Sequence, residues 1–194
     1  MQSDDICAVI LAGGRSRRMG FNKALINVQG RPLIGVLIDR IRPLTERILI
    51  SSNDPSAYTF LNFPVIADFY KDQGPLAGFH SAMHQNECSL FLIIACDLPN
   101  LQLPILRRLI SFCEGYDAAI PRTSDGIAHP LCGAYRRTCL PIIENSLLQR
   151  DNKVIKTFLS DRLSVRWVAP DEGSFKDRDL ANINTPEDLQ TLSS

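Results

Sequence analysis

The amino-acid sequence predicts an α/β domain whose central sheet is mostly parallel and covered by helices on both faces. Three observations carry that expectation. Ile6–Leu11 (ICAVIL) and Leu90–Ala95 (LFLIIA) are strand-length runs that are apolar on both faces, the pattern of strands buried on both sides. Between such runs lie segments whose apolar residues recur at helical spacing. No repeat, low-complexity tract or long linker divides the chain, so residues 1–194 are expected to form one domain.

The elements follow in order. Ile6–Leu11 is a strand that stops at Ala12-Gly13-Gly14. Residues 32–42 carry Leu33, Val36, Leu37 and Ile41 at helical spacing, 47–51 read as a strand, and 65–67 as a very short one. Pro75–Gln85 is a helix with proline in its first turn. The strand Leu90–Ala95 is followed by a helix over 103–113. Residues 117–120 and 131–135 are weaker strands on either side of a turn at 123–126. Segments 137–148 and 154–160 have helical character, 164–168 is a strand, and 186–192 closes as a short helix. That last helix has Thr185 as its cap, Pro186 at its first position and acids in its first turn.

Composition narrows the function. Lys and Arg number 21 and Asp and Glu also 21, so the formal charge is zero. A general nucleic-acid or membrane-surface binder needs a basic excess, and neither partner is expected. No apolar stretch approaches the ~18 residues of a membrane-spanning helix, and the acidic start has no signal-peptide character. Six scattered cysteines (7, 88, 96, 113, 132 and 139) form no CxxC pair, which fits core thiols in a reducing cytoplasm.

Chemistry gathers where two strands end. The segment after Leu11, AGGRSRRMGFNK, carries Gly13, Gly14 and Gly20 among Arg15, Arg17, Arg18 and Lys23. Glycines let a backbone approach an anion closely, and guanidinium forks around such a turn suit a polyphosphate. It is not a Walker A loop, because Phe21 follows Gly20, and it lacks the GxGxxG dinucleotide spacing. Asp97 ends the second apolar run as Cys-Asp-Leu-Pro, where a carboxylate either caps the next helix or holds Mg²⁺ opposite the cations. Asp68 precedes Gly74-Pro75-Leu76-Ala77-Gly78, a helix start with free N–H groups and small residues. His129 is either a structural histidine, a general base or a ligand for the acceptor. Asn182 and Asn184 alternate, which on a strand places both on one face.

The pattern Leu11-Ala12-Gly13-Gly14-x-Ser16-x-Arg18-Met19-Gly20-x-x-Lys23 resembles the signature of the molybdenum cofactor guanylyltransferases, a family of molybdopterin nucleotidyltransferases. Matching blocks extend to Leu189, with only loose similarity over 117–166. The resemblance implies a Rossmann-like, three-layer nucleotidyltransferase fold. It also implies transfer of GMP from Mg-GTP to the terminal phosphate of molybdopterin, with release of pyrophosphate. It assigns the nucleotide to Leu11, Ala12, Gly13, Gly14, Lys23, Asn53, Asp68 and Asp97. Catalysis falls to Lys23, Arg18 and Asp97, the Mg²⁺ ion to Asp97, and the acceptor to Asn182, Asn184 and His129. Transient contacts with other molybdenum cofactor biosynthesis proteins are expected as well. Cytidylyltransferase relatives read Leu-Ala-Ala-Gly at the first block, so Gly13 favours GTP. A cytidylyltransferase acting on molybdopterin or another phosphorylated small molecule, and a nucleotide-binding protein without turnover, are the alternative readings.

Overall fold

A computed structural model describes residues 5–13, 22–28, 30–150, 157–158, 162–183 and 188. Ile6–Leu11 is β1, every residue of it buried. After the 3-10 turn Lys23–Leu25, a two-stranded ribbon pairs β2 (Asn27–Val28) with β3 (Arg31–Pro32). Helix α1 (Leu33–Ile41) follows, then β4 (Ile48–Ser51), the 3-10 helix Pro55–Leu61, β5 (Val65–Ile66) and α2 (Pro75–Gln85). The chain continues through β6 (Leu90–Ala95), α3 (Leu103–Phe112), β7 (Ala118–Pro121), β8 (Cys132–Arg136) and α4 (Leu140–Leu148). The last described elements are β9 (Val165–Val168), the short α5 (Pro170–Gly173) and the 3-10 turn Asp177–Leu180.

Seven strands form one sheet in the order β5-β4-β1-β6-β8-β7-β9. The pairs β5/β4, β4/β1, β1/β6 and β7/β9 are parallel, and β8 alone runs antiparallel to both its neighbours. The mostly parallel sheet expected from the apolar runs is therefore the one observed. Alternation along β1 divides the core. Ile6, Ala8 and Ile10 pack with residues of α1 and α3 on one face, while Cys7, Val9 and Leu11 pack with α2 and α4 on the other. Leu33, Ile34, Leu37 and Ile41 of α1 are fully buried, and each such side chain contributes about 1.5–3 kcal/mol of transfer free energy. Five of the six cysteines are buried and all six are free thiols.

One helical expectation changes in detail. The segment 137–148 is not one α-helix: a 3-10 turn (Arg137–Cys139) precedes α4, which begins at Leu140 with proline in its first turn. Pro141 has no N–H to return to the Arg137 carbonyl, so an α-helix cannot run through from 137. Of 154–160 only Thr157 and Phe158 are described, both helical, and of 186–192 only Asp188. The β2–β3 ribbon, the 3-10 helix Pro55–Leu61 and α5 were not expected, being too short for a periodic signal.

Candidate active site

The register of the parallel strands sets the site. Ile66 pairs with Ser51, Ser51 with Leu11, and Leu11 with Ala95, so the carboxyl ends of β5, β4, β1 and β6 lie in one row. Adjacent strands are about 4.8 Å apart, and the loops leaving them form a continuous ledge. The chain steps outward from β1 to β4 and β5, then returns to β6 on the other side of β1. The topological switch point, where open α/β sheets bind ligands, thus falls between the Ala12-Gly13 turn and Asp97.

Lys23 and Asp97 meet across that gap. Lys23 starts the turn Lys23–Leu25, which is fixed by the Asn22 side chain accepting from the Ala24 N–H at 3.1 Å and by the fully buried Ala24. Its Nζ stands 3.4 Å from Asp97 Oδ2, with the two side chains 15% and 19% exposed. That separation is longer than a tight charge-assisted hydrogen bond of about 2.8 Å, so the pair is close but not clamped. Asp97 is held by its backbone: its carbonyl accepts from Ile183 N–H at 2.9 Å, and Cys96 N–H donates to Leu11 O at 3.2 Å. The Arg40 guanidinium, from α1, donates to the Pro99 carbonyl at 2.6 Å and steadies the same turn. Asp97 Oδ1 is buried and has no hydrogen-bond partner among the described residues. An unpartnered carboxylate oxygen beside a cation fits a divalent ion completed by substrate oxygens, because Mg²⁺ is commonly held by one or two carboxylates plus phosphates. Among the described residues no group of three or more His, Cys, Asp or Glu side chains forms a protein-only metal cage.

At the other end of the ledge Asn53 and Asp68 lock together. Asn53 Nδ2 donates to Asp68 Oδ2 at 2.8 Å and the Asp68 N–H donates to Asn53 Oδ1 at 2.9 Å, joining the turns after β4 and β5. Burial pushes the Asp68 carboxyl above its ordinary value, with the Asn53 hydrogen bond opposing that shift. Two glycines near this row differ in purpose. A Cβ on Gly13 would sit 3.4 Å from Ser51 O and Ser52 Cα, an ordinary contact, so the fold itself does not require glycine there. A Cβ on Gly78 would fall 2.6 Å from Ser51 Oγ and 2.9 Å from Leu11 Cδ2. The absence of a side chain at 78 therefore makes room for the ends of β4 and β1 against α2.

The sheet's far half supplies a second wall. Leu131 O accepts from Ala95 N–H at 2.6 Å and His129 N–H donates to Pro121 O at 2.9 Å, so the His129 turn spans the ends of β6 and β7. His129 is half-buried. Burial lowers its pKa, opposed by Asp125 and Asp177. No described contact joins the His129 side chain to Lys23 or Asp97. Beside it the Arg122 guanidinium lies 4.4 Å over the Trp167 ring, with its Nε buried and unpartnered among the described residues. Asn182 is exposed, and its neighbour Ile183 is the residue bonded to the Asp97 carbonyl, which brings the C-terminal block to the metal-side turn. Gly14, Arg18 and Asn184 lie outside the described residues, as do Arg15 and Arg17.

The structure therefore brings Leu11, Ala12, Gly13, Lys23, Asn53, Asp68 and Asp97 to one row, with Asn182 and the His129 turn beside it. Asn22, Arg40 and Arg122 were not singled out in the sequence, nor was Tyr58, whose hydroxyl accepts from Asn22 Nδ2 and donates to the Ala12 carbonyl. Only Asn22 carried a usable signal, as a cap-type residue directly before Lys23.

Residues 8–165 match the family of the MobA-like NTP transferase domain. A probable molybdenum cofactor guanylyltransferase of Carboxydothermus hydrogenoformans is 35% identical over 97% of this chain and 95% of its own. The molybdenum cofactor guanylyltransferase of Shewanella baltica is 36% identical over 98% and 97%. Among solved structures, molybdopterin-guanine dinucleotide biosynthesis protein A from Archaeoglobus fulgidus superposes with a TM-score of 0.79 at 25% identity, covering 95% of each chain.

Proposed function

Since the chain belongs to the MobA-like NTP transferase family and is a nucleotidyltransferase, we propose that it transfers GMP from GTP to the terminal phosphate of molybdopterin. The observation that carries this reading is the Lys23–Asp97 pair at the switch point, loosely joined and with one Asp97 oxygen unsatisfied. The curated relatives of matching length, named as guanylyltransferases, supply the nucleotide and the acceptor class.

The step is an in-line displacement. An acceptor phosphate oxygen bonds to the α-phosphorus of GTP, the bond to the α–β bridging oxygen breaks, and that electron pair leaves with pyrophosphate. A phosphate nucleophile is already anionic near neutral pH, so no strong general base is needed. The site accordingly works by positioning and by charge. Asp97 would hold Mg²⁺, which supplies charge neutralisation across the phosphates. Lys23 and Arg18 stabilise the charge that builds on the α-phosphoryl group and the departing pyrophosphate. Leu11, Ala12, Gly13 and Gly14 frame the phosphates with backbone, which is the use of Gly13 that the fold leaves open.

Asp68, oriented by Asn53, suits the guanine edge. A carboxylate accepts from the N1–H and N2–H donors of guanine, whereas the N3 acceptor of cytosine would repel it. His129, whose pKa burial lowers, serves the acceptor as a hydrogen-bonding group together with Asn182 and Asn184. The same reading places its work in the cytoplasm, beside other cofactor-assembly proteins.

Incubation with α-labelled GTP, Mg²⁺ and molybdopterin tests the reading. Label should pass to a pterin product that carries one added GMP mass. Label that stays in GTP while a cytidine triphosphate control transfers its CMP would reassign the nucleotide.

A further inference from the structure

Tyr58 lies on the 3-10 helix Pro55–Leu61 and is 1% exposed. Its hydroxyl accepts from Asn22 Nδ2 at 2.8 Å and donates to the Ala12 carbonyl at 3.0 Å. Ala12 opens the glycine- and arginine-rich segment and Asn22 directly precedes Lys23. Two points ten residues apart in sequence are thus joined through one phenolic oxygen that arrives from the β4–β5 connection. Asn22 spends its other amide atom on the Ala24 N–H, so the chain of contacts runs from Tyr58 through Asn22 to the turn that carries Lys23.

Packing does not require that hydroxyl. Tyr58 belongs to the apolar layer against α1, and phenylalanine would fill almost the same volume. Burial raises the phenol's pKa, so the group stays a protonated donor and acceptor at neutral pH. Its helix begins two residues beyond Asn53, which places one rigid element between the base side and the phosphate side of the ledge.

We propose that Tyr58 is a positioning residue: its hydroxyl joins Ala12 to Asn22, and through them sets the presentation of the Ala12-Gly13 turn and of Lys23 toward Asp97. This rests on the nucleotide-transfer reading above. The test compares wild type with Tyr58→Phe, Asn22→Ala and the double variant, by titration calorimetry with Mg-GTP and separately with guanosine. Loss of the hydroxyl, with its bonds to Asn22 and Ala12, should raise the Kd for Mg-GTP at least about tenfold in Tyr58→Phe, with guanosine affinity unchanged. Asn22→Ala removes the contact to Tyr58 together with the cap on the Ala24 N–H, so it should weaken Mg-GTP at least as much, and the double variant should be no weaker than the weaker single one.

Unchanged Mg-GTP affinity in Tyr58→Phe would overturn the proposal. So would parallel weakening of GTP and guanosine, which would make Tyr58 a support of the base side or of the fold as a whole. Additive losses in the double variant would overturn it as well. If wild type binds CTP in place of GTP, the guanylyl reading falls, and the same comparison with CTP and cytidine decides the role of Tyr58. If wild type binds no nucleoside triphosphate, both fall.

Discussion

The two halves of the sheet use the same layered architecture to different ends. In the half formed by β5, β4, β1 and β6 all strands are parallel, so their carboxyl ends and the loops that follow open on one edge. That edge carries Gly13, Asn53, Asp68 and Asp97, with Lys23 closing over it. In the half formed by β8, β7 and β9 an antiparallel strand intervenes, and the edge is built by turns such as that of His129. Parallel pairing concentrates functional groups from distant sequence positions, whereas the mixed half offers a wall whose details lie in loops. On our account the first half binds and activates the nucleotide and the second receives the acceptor.

That division is open to attack at graded strength. The largest effect is expected at Lys23. Lys23→Ala should reduce kcat by about 10²–10³-fold, the usual loss of one charge-stabilising group, with little change in Tm because the ion pair is loose. A steady-state assay with circular dichroism of the variant checks both parts; near-normal turnover would remove Lys23 from the chemistry. Asp68→Ala should lower kcat/KM for GTP by roughly a hundredfold and shrink discrimination against CTP, since a lost carboxylate–guanine contact is worth about 1.5–3 kcal/mol per hydrogen bond. Equal losses for GTP and CTP would mean that Asp68 only braces the loops.

Gly78→Ala breaks the comparison from beneath, since its Cβ would meet Ser51 Oγ and Leu11 Cδ2 at 2.6 and 2.9 Å. Overpacking of this kind costs about 1–3 kcal/mol, readable as a shift in urea midpoint. Because the displaced atoms belong to the nucleotide ledge, nucleotide KM should rise while acceptor KM stays put. His129→Ala should do the converse, raising acceptor KM about tenfold with nucleotide KM unchanged, as expected for one hydrogen bond on the far wall.

How legible was this in the sequence? β1 and β6 were, because a strand buried on both faces must be apolar throughout, and the loops after them were marked by Gly13 and Asp97. Contacts across the fold were not. Tyr58 sits in Pro55–Leu61, which has no strand or helix period, and it reaches Ala12 across 46 positions. Gly78 was visible as a small residue, but that its missing side chain makes room for Ser51 and Leu11 depends on the packing of α2 over β4. Arg122 meets Trp167 only because β7 pairs with β9.

The smallest predicted effect is on stability against pH. His80 on α2 is almost fully buried, 3.6 Å from Glu144 Oε1, and packs against Phe69, Tyr70 and His84. Burial lowers its pKa, with Glu144 opposing the shift. Below the unfolded value of about 6.5 the unfolded chain takes up a proton that the native imidazole refuses, so stability falls as pH drops through that window. His129, shifted in the same direction, adds to the slope. Denaturant titrations from pH 7.5 to 5 should show the decline, and His80→Phe should flatten it; an identical slope in the variant would assign the loss elsewhere.

The most direct test of the central claim is pyrophosphate release by the purified protein with Mg²⁺, molybdopterin and each nucleoside triphosphate in turn. Release is expected with GTP, dependent on molybdopterin and at least tenfold slower with CTP, in keeping with a base pocket built on hydrogen bonds. Release that prefers CTP, or folded protein that binds GTP and releases no pyrophosphate with the acceptor present, would contradict it.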